Sequence, residues 1–173
     1  MTGVKRRLPV VQPREDEGEP RPPWQWSVLG AVATLLAFVP LAFGVMALAR
    51  RTHSAYIQGS DAAEVQRAVA AMTASQRLWL GIVTVLGPFA ALATSSFAGG
   101  LLVGRFGGEA GKKEAAVGGF MAACIASAIA ASQLVSQPGG LAVWFLTSGV
   151  LFTVGGVAAY FGGLLGVRLR RSA

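Results

Sequence analysis

Four long apolar runs dominate the chain, at about 26–49, 78–104, 115–135 and 141–167, separated by stretches rich in charge, glycine or proline. Each reaches the ~20 residues that a helix needs to cross a hydrocarbon core about 30 Å thick. The second and fourth, at about 27 residues or ~40 Å of helix, predict tilt or extension beyond a bilayer. The pattern therefore predicts an all-α membrane protein with four transmembrane helices in a Gly/Ala-rich bundle, over 24–171. Pro40 and Pro88 fall inside runs and predict kinks. Trp24, Trp26, Trp79 and Trp144 stand near run starts, where an indole sits well at a membrane interface.

Between the first two runs the periodicity changes. Residues 60–77 place Val65, Val69 and Met72 on one helical face and Glu64 and Arg67 on another, and Asp61 precedes Glu64 by the spacing of a capping box. This predicts an extra amphipathic, extracytoplasmic helix that runs or bends into the second span, lying on the membrane or docking a partner. Residues 1–23 are polar and hold five prolines, Pro9, Pro13, Pro20, Pro22 and Pro23, which predicts a disordered cytoplasmic tail. The motif "MALARR" at the end of the first run offers a signal-peptidase-like site at Ala47 to Ala49. A run longer than 20 residues behind a proline-rich tail exceeds the usual h-region of about 7–15 residues, so an uncleaved anchor is expected.

The stretch "GGLLVGRFGGEAGKKEAAVGG" at 99–119 invites a phosphate-binding reading. A P-loop requires a glycine where Phe106 stands and a hydroxyl where Lys113 stands, and the Rossmann spacing of glycines is absent. The glycines predict close helix packing instead. Candidate packing positions are Gly100, Gly104 and Gly108 before the turn, Gly119 and Ala123 in the third span, and Gly149, Gly156 and Gly163 in the fourth. Over 78–167 the sequence resembles the small four-helix bacterial membrane proteins of the YrzE type, through Gly99, Gly100, Gly104, Arg105, Gly111, Gly118 and Gly119. That resemblance implies a four-helix membrane fold and carries no activity with it. The shorter "GLLVGRFG…GKK" is also similar to a cytoplasmic loop of major facilitator transporters, but Gly104 occupies the acidic position and residues 108–111 are inserted.

Composition agrees with a lipid environment: 53% of residues are hydrophobic, 13% are charged, and the mean hydropathy is +0.55. The net charge of +7 sits at the ends of apolar runs rather than in a stripe with interleaved aromatics, which argues against nucleic acid and for anionic headgroups. Arg105, Lys112, Lys113, Arg168, Arg170 and Arg171 are the expected headgroup anchors. Eleven Lys and Arg residues fall in the two terminal segments and the 105–114 loop, against Arg50, Arg51, Arg67 and Arg77 in the first loop. The positive-inside rule then places both termini in the cytoplasm. High Ala, Gly, Val and Arg usage points to a GC-rich bacterial genome and its inner membrane.

Candidate chemistry is sparse. No ionisable residue lies well inside a run, His53 is the single histidine and Cys124 the single cysteine, so the sequence predicts no enzyme, no metal site and no cofactor. Hydroxyl and amide side chains at Ser95, Ser96, Ser127 and Gln133 form a possible polar path. Two functions follow from this inventory. The first is association as an accessory, assembly or scaffolding subunit, in a homo-oligomer or a larger membrane complex. The alternative is an oligomeric channel or facilitator for a small neutral solute.

Overall fold

A computed structural model describes residues 22–57, 61–134 and 139–172. Most of the tail expected at 1–23 lies outside these residues, as do the end of the third run at 135 and the side chain of Gln133. The described residues contain helices and no strands. They form α1 (Pro23–Tyr56), α2 (Ala62–Ala71), α3 (Ala74–Gly81), a π-helical turn (Ile82–Leu86), α4 (Gly87–Phe106), α5 (Lys112–Leu134) and α6 (Gly140–Arg171). Four helical rods among them are long and apolar enough to cross a membrane. The second is α3, the π turn and α4 joined end to end, 33 residues from Ala74 to Phe106.

α1 starts directly at Pro23, whose missing N–H is harmless in a first helical turn, and runs for 34 residues or ~51 Å. It passes through Pro40 without a break in helical structure. Pro88 acts differently. In a regular helix its ring would press on the carbonyl four residues back. The preceding turn widens instead, with the Gly87 N–H donating to the Ile82 carbonyl five residues behind it. Thr84 turns its hydroxyl onto the Leu80 carbonyl at 2.6 Å, giving that acceptor a donor beside the widened turn.

Instead of the single helix predicted over 60–77, the chain forms α2 and α3, broken at Met72 and Thr73, whose ψ angles of 142° and 159° are extended. The cause is local. Thr73 accepts from the Gln76 N–H while the Gln76 side chain accepts from the Thr73 N–H, a reciprocal capping box that starts a new helix. Asp61 occupies the N-cap of α2 but makes no capping hydrogen bond through its side chain. The Arg77 guanidinium donates to the Met72 carbonyl at 2.9 Å and ties the break across its own corner.

The rods run alternately up and down. α4 and α5 occupy the middle, α1 packs on both from one side and α6 packs on both from the other. The largest interface joins the parallel helices α4 and α6. The interior is built from small residues. Gly100 and Gly104 meet the backbone of Ala159 and Gly163, and Gly162 and Gly166 meet the backbone of Phe97, Leu101 and Arg105. A methyl group at any of these four glycines would collide with backbone, so only glycine permits this approach. Ala159 also faces Gly119 of α5, which puts α6 against both central helices along one line. Large apolar side chains point outward, with Leu36 at 72% and Leu146 at 74% exposure.

Candidate functional site

Three regions combine polar or open features with the apolar bundle. The first is the set of buried hydroxyls. Ser127 of α5 and Ser148 of α6 are buried and hydrogen-bonded to each other at 2.5 Å, while the Trp144 indole N–H donates to the Ser127 carbonyl at 3.0 Å. One strand of interactions thus pins α5 to α6 near the start of α6. The indole N–H of Trp144, near the start of α6, is thus satisfied between two helices. Ser95 is buried and donates to the Leu92 carbonyl of its own helix at 3.0 Å. Ser96 and Thr34 are equally buried, and their hydroxyl oxygens have no hydrogen-bond partner among the described residues.

These placements bear directly on the expected polar path. Ser95, Ser96 and Ser127 all point into one chain's own interior, with at most 2% exposure. Outward-facing hydroxyls are spent on their own helices: Thr84, Thr94 and Thr153 each donate to the carbonyl four residues back, and Ser132 donates to the Ile129 carbonyl three residues back.

The second region is the end of the bundle where α4 turns into α5 and α6 stops. Gly108 sits in that turn at φ +57°, a left-handed conformation that suits glycine, and a methyl there would meet nothing within 4 Å. Its expected role in close packing is therefore replaced by a turn role. The Arg170 guanidinium donates to the Gly108 carbonyl and fastens the turn to the end of α6. Glu114 accepts from the Gly111 N–H at 2.8 Å and closes the first turn of α5. Lys112 holds its ammonium 5.3 Å from the centre of the Tyr160 ring, and Arg105 lies 5.7 Å over Phe106. Lys113, Arg168 and Arg171 are exposed at the same end.

The third region is the outer face of α6. The predicted stripe of Gly149, Gly156 and Gly163 divides: Gly163 packs on Ala115 and Lys112, whereas a methyl at Gly156 would approach only the Ala116 carbonyl, at 3.9 Å, and one at Gly149 would meet nothing. The reason is helical geometry. A seven-residue repeat drifts by about 20° per heptad on a 3.6-residue helix, so a stripe that begins inside the bundle at Gly163 has rotated outward by Gly149. The face that packs inside follows Ser148, Leu151, Gly155, Ala159, Gly162 and Gly166. On the outward face Gly149 lies in a shallow, open groove along the surface of α6 itself, beside Phe145, Leu146, Val150, Thr153 and Val154. Ala123 of α5 is fully buried, in one apolar cluster with Leu92 and Leu151, and faces Gly155 of α6.

Sequence reading missed the Thr73–Gln76 box, the Ser148 partner of Ser127 and the Arg170 clasp on Gly108. Only the first carried a local signal, the T-x-x-Q spacing. Among the described residues no group of three His, Cys, Asp or Glu side chains is placed to hold a metal ion. Compared with models of protein families, with curated proteins and with solved structures, the chain matches none.

Proposed function

We propose that the protein is a multi-pass protein of a bacterial inner membrane, with both ends of the chain on the cytoplasmic side, and that it works by association as an accessory, assembly or scaffolding subunit. The membrane reading is supported by the inverted distribution of size, with glycine, alanine and small hydroxyls inside and Leu, Phe and Val outside. The orientation rests on the basic cluster at the end shared by the start of α1, the 107–111 turn and the end of α6. The observation that carries the association reading is Gly149. Inside the bundle glycines have backbone against them, whereas Gly149 lies open in a groove with ridges of Phe145, Leu146 and Val150. That surface suits a helix from a second copy or from another subunit, because small residues let backbones approach where lipid gives little drive to association.

Cysteine cross-linking in native membranes tests this reading. In a Cys124→Ala background, Gly149→Cys is expected to form a defined cross-linked species, while Val117→Cys on the exposed face of α5 is not. Equal cross-linking at both positions, or at neither, would contradict docking at the α6 groove.

The channel alternative draws support from Thr34 and Ser96, whose buried hydroxyls leave hydrogen-bonding capacity inside the bundle. It requires the glycine-packed helices to separate, because Ser95, Ser96 and Ser127 lie within one chain rather than on a face that an oligomer would share. Solute flux into liposomes that is lowered in Ser96→Ala, which removes the hydroxyl without overfilling the site, would favour this alternative over association.

A further inference from the structure

A cleft of about 340 Å³ opens between the 107–111 turn and the last turns of α6. We propose that it binds the phosphate headgroup of an anionic phospholipid whose acyl chain lies along Leu164 and Val167. The proposal rests on the reading of the long apolar helices as membrane spans. On α6 the residues Tyr160, Leu164, Val167, Arg168 and Arg171 recur at spacings of three and four, so they share one helical face. Along that face the chemistry changes in order from aromatic, through aliphatic, to cationic, as a phospholipid changes from acyl chain to headgroup.

The facing wall is fixed independently. Lys112 is held toward α6 by its contact with the Tyr160 ring, and the Arg170 clasp on Gly108 sets the position of the turn. The lining carries four cations, Lys112, Arg168, Arg170 and Arg171, against one carboxylate, Glu109. Because Glu114 already occupies the Gly111 N–H, the anion is recognised by side-chain cations rather than by the first amide of α5. An arginine fork presents two parallel donors to a phosphate, and the cleft volume falls within the range of about 300–1,000 Å³ typical of small-molecule sites. The apolar floor at Leu164 and Val167 selects a lipid over a soluble phosphate ester.

The test reconstitutes the full chain into phosphatidylcholine nanodiscs doped with phosphatidylglycerol or cardiolipin, releases it in mild detergent and weighs the intact protein with its retained lipid. The wild type is expected to keep anionic lipid in preference to phosphatidylcholine. Arg168→Gln with Arg171→Gln is expected to lower retention about tenfold or more, the scale of losing one charge-assisted hydrogen bond. Arg50→Gln with Arg51→Gln, at the far end of α1, is expected to leave retention unchanged. Arg168→Lys with Arg171→Lys keeps the charge without the fork and is expected to fall between wild type and the glutamine pair. Equal loss from both ends, no loss, or complete displacement of the lipid by inorganic phosphate would overturn the proposal. Failure of the wild type to enter nanodiscs would overturn the membrane-span reading with it, whereas entry without selective retention overturns the lipid site alone.

Discussion

The two ends of the bundle use the same residue type in opposite ways. Toward the end that holds the 107–111 turn, Gly99, Gly100, Gly104, Gly118, Gly119, Gly162, Gly163 and Gly166 each have a neighbouring helix pressed against the missing side chain. Toward the other end, Gly44, Gly81 and Gly149 face open space, and Gly87 meets the Val45 side chain rather than backbone. Glycine spacing alone therefore does not define an interface. What defines it is whether the partner helix also presents a small residue at the same height, as Ala159 and Gly163 do for Gly100 and Gly104. The closed end is tightly packed; the open end leaves surface of α1 and α6 uncovered.

Substitution sharpens this contrast most at its extremes. Gly100→Leu and Gly163→Leu force side chains into space held by the adjoining helix, and each is expected to cost about 3 kcal/mol or prevent folding, as overpacking of a tight core does. Reversible unfolding in detergent measures the loss; a change below about 1 kcal/mol would remove the distinction between the two ends. Thr73→Ala removes the cap that separates α3 from α2 and is expected to cost about 1 kcal/mol locally. Hydrogen exchange at the amides of 74–77 reports it, and unchanged protection there would show that the box does not hold the break.

Smaller effects are expected at the polar positions. The Ser127–Ser148 pair should show a coupling of about 0.6 kcal/mol in a double-mutant cycle with alanine, the usual size for an interhelical hydrogen bond in lipid. A coupling near zero would mean that α5 and α6 are held by van der Waals contact and by the Trp144 bond. Thr34→Val replaces a hydroxyl that has no hydrogen-bond partner among the described residues with a methyl of similar shape, so stability is expected to stay level or rise. A marked loss would show that the hydroxyl is satisfied, for instance by water.

Four apolar rods and the turn at 107–111 were legible in the sequence because length and hydropathy suffice to locate them. The break at Thr73 was legible in principle, since T-x-x-Q is a local signal, but an uninterrupted helical periodicity across 61–77 competed with it. The Gly108–Arg170 clasp and the Ser127–Ser148 bond join residues far apart in the chain, and no local pattern encodes them. The division of the Gly149, Gly156 and Gly163 stripe depends on a rotation that accumulates by about 20° per heptad. It becomes visible only once the neighbouring helices fix which angle points inward.

On the proposed function, the closed end maintains the fold and the open α6 face serves association. That claim is checked by Gly149→Leu in the tagged chain, purified in mild detergent from its native membrane beside the wild type. The expected result is unfolding stability within about 0.5 kcal/mol of wild type, as for a substitution into open space, together with loss of the partner or second copy that the wild type retains. Retention of the same assembly at the same stoichiometry would contradict the claim and move the association surface away from α6.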